Sequence, residues 1–196
     1  EEGLLTLPDR DYYLEDDEQY VQGRSLYKDY VSRLFSLADI DAGAEIAEDL
    51  LALETRLAEQ TWTREDNRDP DKLNNPMTAD QVQAMALLID WPSYFAARQI
   101  PSRDQYIVAQ PSYFSALEHI FNDTAMGTWK NYLIFQTLHA FAPVMTDQSF
   151  DLWFGFERAG LQGVQEPRPR WKRAVESMDT NLGFLLGQLY VEKYFP

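Results

Sequence analysis

From Tyr20 to Leu189 the apolar residues of this chain recur at intervals of three and four, a spacing that selects helices over strands. Tyr20, Tyr27, Val31, Leu34 and Phe35 follow an acidic stretch, Glu15-Asp16-Asp17-Glu18, that favours a helix N-terminus. Ile46, Leu50, Leu53 and Leu57 fall on one stripe of a second helix. Thr78 followed by Gln81 reads as a capping box, with Val82, Met85 and Ala86 turned inward, and Pro92 suits the first turn of a short helix through Tyr94 and Phe95. An aromatic-rich helix with Trp129, Tyr132, Leu133, Gln136 and Leu138 is expected from Thr128 to Met145. The last stripe, Trp171, Val175, Met178, Leu182, Leu185 and Leu189, is the most regular. Gly183 and Gly187, one turn apart on it, are expected to admit a neighbouring helix at close range. Only Tyr106-Ile107-Val108-Ala109 looks extended, and one short strand makes no sheet. The expectation is a single all-α domain over residues 1–196, with seven or eight helices and polar linkers at Thr63–Pro76 and Gly160–Pro169.

Charge narrows the partners. The chain carries a formal net charge of −15, and residues 1–80 hold 21 acidic against 8 basic side chains. Such a surface repels phosphate backbones and anionic lipid, so neither nucleic acid nor membrane contact is expected. No apolar run approaches the ~18 residues of a membrane span. Zero cysteines exclude disulfides, thiolate metal sites and cysteine nucleophiles.

The search for chemistry is mostly negative. His119 and His139 are the only histidines, and neither has a second within three to five residues. Asp66, Asn67, Asp69 and Asp71 crowd one segment, but a calcium loop counted from Asp66 would place Asp71 at its glycine and Met77 at its glutamate. A structured turn explains them better. Phosphate-cradling glycine loops and a Gly-x-Ser-x-Gly elbow are absent. Arg168, Arg170, Lys172 and Arg173 surround Trp171 where a helix begins. Cations there oppose the helix dipole and call for an acidic partner, with the acidic first part of this chain the expected one. The residues therefore assign no catalytic or metal-binding position, and leave the substrate contacts unknown. Trp62, Trp91, Trp129 and Trp153 could stack on a peptide, yet aromatics at helical spacing read first as core.

Five blocks, in order, carry a resemblance. They are Gly3-Leu-Leu-Thr-Leu-Pro-Asp-Arg-Asp-Tyr-Tyr13 with Leu14-Glu15-Asp16-Asp17; Leu53-Glu54 through Thr61-Trp62 to Asn67-Arg68-Asp69-Pro70; Asn75-Pro76-Met77-Thr78; Gln110-Pro111-Ser112-Tyr113-Phe114; and Arg168-Pro169-Arg170-Trp171-Lys172-Arg173 to Leu189-Tyr190-Val191-Glu192-Lys193-Tyr194-Phe195. Together they resemble the neprilysin-type zinc metallopeptidases, which include endothelin-converting enzyme and bacterial oligopeptidases. The resemblance implies a parent zinc metalloendopeptidase acting on peptide substrates. Its zinc would be held by His-Glu-x-x-His and Glu-x-x-x-Asp helices in a catalytic domain of the same polypeptide that follows this segment. Neither a first zinc ligand nor a general base has a counterpart here. The segment itself is then expected to bind no zinc and to be inactive alone, while walling a central cavity that restricts substrate size. A cysteine-free chain that opens at Glu1 further suggests an internal piece of a bacterial relative, in periplasm or cell envelope. The competing expectation is a stand-alone helical binding protein, for which the chain would end naturally at Pro196.

Overall fold

The computed structural model describes residues 5–195; Gly3 and Leu4 of the first block, and Pro196, lie outside the described residues. Ten α-helices occur among them: α1 Asp11–Leu14, α2 Glu18–Leu37, α3 Gly43–Gln60, α4 Pro70–Leu73, α5 Ala79–Met85, α6 Trp91–Ala97, α7 Pro111–Asp123, α8 Met126–Met145, α9 Asp147–Trp153 and α10 Arg170–Tyr194. Eight of them have at least seven residues, so the fold is all-α. The extended segment has a companion that the periodicity could not reveal. Strand β1 (Pro76–Met77) pairs antiparallel with β2 (Tyr106–Ile107), Pro76 opposite Ile107 and Met77 opposite Tyr106. Two residues are too few to show a period.

The core forms where the two earliest stripes meet. Tyr27, Val31, Leu34 and Phe35 of α2 are buried against Ile46, Leu50, Leu53 and Leu57 of α3, and α8 closes the layer with Tyr132, Phe135 and Ala142. Gly43 begins α3 so close to α2 that a Cβ there would lie 2.6 Å from the Ser32 carbonyl oxygen. Only a residue without a side chain lets the two helices meet at that point. Beyond α9 the chain continues as a π-helix, Phe154–Gly160, which stacks the Phe156 ring on Tyr30 at 4.5 Å.

Local chemistry sets the helix ends. The Thr78–Gln81 capping box opens α5 as expected, and Pro92 stands in the first turn of α6. In the polar linker Thr63–Pro76, Asp69 accepts from the Asp71 and Lys72 amides to cap α4, and Asp66 pairs with Lys72. The turn reading of that acidic segment holds.

Helix α10 departs from expectation. Its stripe from Trp171 to Leu189 is regular, yet no α10 side chain is buried. Periodicity reports that a helix has an apolar face and is silent on whether the same chain covers it. A Cβ at Gly183 or Gly187 would meet nothing within 4 Å, so the expected helix neighbour is missing among the described residues.

Candidate functional site

Glu54 is the most constrained polar group of the structure. On α3 it stands between Leu50 and Leu57 on the apolar stripe, which carries its carboxylate into the core with no solvent exposure. Four donors meet it there. Oε2 accepts from the Tyr13 hydroxyl at 2.5 Å and the Thr6 amide at 2.9 Å, and Oε1 accepts from the Thr6 hydroxyl at 2.8 Å and the Tyr27 hydroxyl at 2.9 Å. Gln136 of α8 donates in turn to Thr6 Oγ1 at 3.1 Å, while the Leu7 amide donates to the Tyr13 hydroxyl at 2.8 Å. Burial pushes the Glu54 carboxyl up, against the pull of its four hydrogen bonds, and pushes the Tyr13 and Tyr27 hydroxyls well above their ordinary value. With every lone pair engaged and no room for a substrate atom, this cluster is a clamp. It ties the segment entering α1 to α2, α3 and α8. The sequence did contain a signal for it: a carboxylate at a core position of an otherwise apolar stripe.

The histidines do not converge. His119 is exposed on α7, whereas His139 on α8 is half-buried, its Nδ1 3.0 Å from the Tyr30 hydroxyl. Burial lowers the His139 pKa, favouring the neutral ring. Among the described residues no three His, Asp or Glu side chains lie close enough together to hold a metal ion. The residues present therefore do not fit zinc, and no step through zinc is derived from them.

Six aromatic side chains line a cleft of about 700 Å³ where α5, α6, β2 and α7 meet. Phe95 stacks on Tyr106 at 4.7 Å, and Trp91 meets Phe114 edge-on at 5.7 Å. Its rim is fixed by a polar lattice built from the blocks singled out in the sequence. The Trp62 amide donates to Gln110 Oε1 at 3.0 Å, Gln110 Nε2 donates to Asn67 Oδ1 at 2.9 Å, and Asn75 Nδ2 donates to the Val108 carbonyl at 3.0 Å. The cleft can accept apolar side chains, and among the described residues that line it there is no histidine, carboxylate or lysine. Of the four tryptophans weighed as stacking residues, Trp91 lines this cleft, Trp129 lines a groove between α7 and α8, and all four are half-buried.

The basic cluster finds its partners elsewhere than expected. Arg168 pairs with Glu176 of α10 itself, Lys172 lies over the Trp171 ring, and Arg173 lies over the Phe150 ring at 3.6 Å. Among the described residues no carboxylate from the acidic first part reaches it. Several of those carboxylates pair with other cations of the same part, as in Arg24–Asp16, Lys28–Glu48 and Arg64–Asp9.

What the fold defines is a helical module that has a rigid clamp and an aromatic cleft, with no metal centre among the described residues. The N-terminal family model of peptidase family M13 matches residues 1–196, and the chain belongs to that family. It is 27% identical to an endothelin-converting enzyme homolog of Locusta migratoria and to human endothelin-converting enzyme 1, over 100% and 97% of its length. Among solved structures, the zinc metalloprotease Zmp1 of Mycobacterium tuberculosis in complex with an inhibitor superposes with a TM-score of 0.89 at 30% identity over 98% of this chain. The chain spans 28%, 26% and 30% of the lengths of these three proteins.

Proposed function

We propose that these residues are the helical, non-catalytic part of a zinc-dependent metalloendopeptidase that hydrolyses oligopeptides. They would wall the cavity through which substrate reaches a zinc site carried by another part of the same polypeptide. The observation that carries this is the match along 98% of this chain to a zinc metalloprotease of which it spans less than a third. The internal clamp at Glu54 supports it, since a wall that screens substrates by size must keep its shape without help from substrate. The aromatic cleft offers apolar surface to flexible chains. We place the parent in a bacterial periplasm or cell envelope, which cell fractionation tests.

The deciding experiment is metal dependence in the full-length polypeptide. Purified protein should contain zinc, cleave an unstructured oligopeptide, lose that activity to a chelator and recover it with zinc. A metal-free full-length protein without hydrolytic activity would replace this reading with that of a helical binding protein.

A further inference from the structure

The two halves of α10 have different surfaces. Up to Asn181 the helix is amphipathic, with Trp171, Val175 and Met178 on one stripe and Lys172, Arg173, Glu176 and Asp179 on its other faces. Leu182 has φ −125° and ψ 20°, which breaks the helix. Beyond the break, at about 100° per residue, Phe184, Leu185, Leu186, Leu189, Tyr190 and Val191 point to most sides, leaving Gln188 and Glu192 as one narrow polar strip and Lys193 as a single charge on another side. Phe184 is fully exposed, and Leu185, Leu189, Tyr190 and Val191 are each more than half exposed. A helix with apolar residues on so many sides is stable only when most of its surface is enclosed. One face of this half is not bulky but hollow: a groove of about 740 Å³ runs past Asn181, Gly183, Gly187 and Val191. Two glycines one turn apart are what a second helix needs to approach at backbone distance.

We infer that Gly183–Tyr194 is an interior helix of a larger fold, enclosed by segments of the same polypeptide outside these residues, one of them a helix seated on Gly183 and Gly187. The break at Leu182 is where α10 passes from surface to interior. The occupant is argued from length and chemistry. The relatives are more than three times as long, so the covering polypeptide is available in cis. A bilayer fits poorly, because Gly183–Tyr194 spans roughly 18 Å against a hydrocarbon thickness of ~30 Å. This inference rests on the reading that the chain is part of a longer peptidase, and its test is separable from that reading.

The test uses the full-length polypeptide. If the glycine face is open, as among the described residues, Gly187→Ala raises the melting temperature, because alanine favours helix and its Cβ meets nothing. If the face is covered, the new methyl strikes the seated helix and the melting temperature falls. Phe184→Ser is close to neutral on an exposed helix and strongly destabilising in an interior one. Should either variant fail to fold, hydrogen exchange on the unsubstituted protein decides. Amides of 183–194 protected far beyond those of 171–178, at every protein concentration, support the inference. Fast exchange at 183–194, a higher melting temperature for Gly187→Ala, or protection that appears only as concentration rises (a second copy) would overturn it. Protection in a protein that holds no zinc and cleaves nothing removes the functional reading and leaves this one standing.

Discussion

At the scale of single residues the molecule is decided by Glu54, and the arithmetic of donors shows why no other side chain serves. Each carboxylate oxygen accepts two hydrogen bonds, so all four donors are matched. Glu54→Gln keeps the shape but turns an N–H₂ group toward two of those donors. Each donor left buried and unpaired costs about 1–3 kcal/mol, whereas Tyr27→Phe removes one hydroxyl together with its need for a partner. Urea unfolding at neutral pH should therefore rank Glu54→Gln well below Tyr27→Phe in stability; the reverse order would sink the clamp. A pH dependence follows from the same burial. The folded carboxyl is raised above its ordinary ~4.3, so between those two values the folded state holds a proton that the unfolded state has lost. That contribution to stability grows as pH falls through the folded value and is lost as pH rises through it. His139 works oppositely. Its pKa is lowered, so stability present above its ordinary ~6.5 is lost as pH falls toward the folded value. The stability gap between the parent protein and Glu54→Gln should thus widen as pH is lowered from neutral toward the ordinary carboxyl value. A gap that stays constant down to that value would mean that folding does not raise the Glu54 carboxyl.

Elements were legible in the sequence where burial follows period, and obscure where it follows a single contact. The stripes of α2 and α3 could be read because both faces are covered by this chain, so Leu50, Leu53 and Leu57 are buried as their spacing demands. The Thr78–Gln81 box could be read because glutamine at its third position is a known partner. Its twin at α9 was missed, because Ser149 stands where a longer side chain is expected, although Thr146 and Ser149 exchange the same two bonds. Strand β1 and Gly43 lie beyond any pattern, since one is two residues long and the other matters only through Ser32. Gly43 yields a prediction against propensity. Alanine favours helix over glycine by about 1 kcal/mol, yet here its methyl would strike backbone rather than a flexible side chain. Gly43→Ala should lower the thermal midpoint despite the better helix former, as read by circular dichroism. A rise would mean that α2 and α3 can separate at little cost.

For the whole molecule, the order of blocks carried more than their individual chemistry. Asn67 and Asn75 fall in the polar linker Thr63–Pro76 and Gln110 opens the fourth block, and the structure shows the three holding the rim of the aromatic cleft. Substrate contacts remained illegible because they depend on which helix faces meet the rest of the polypeptide, a matter outside local period. If the helices wall a closed cavity, selection should act on chain flexibility rather than on side-chain identity. A peptide must enter as an extended thread, and a folded domain would first have to unfold at a cost of about 5–15 kcal/mol, which a passive wall cannot supply. The full-length enzyme should accordingly cleave a short unstructured peptide. It should leave the same sequence uncut within a loop of a stable folded domain, and cut it once that domain is destabilised by mutation. Mass spectrometry of the products measures all three. Equal cleavage of the free peptide and the folded loop would show an open site, and the helical part would then need a role other than a wall.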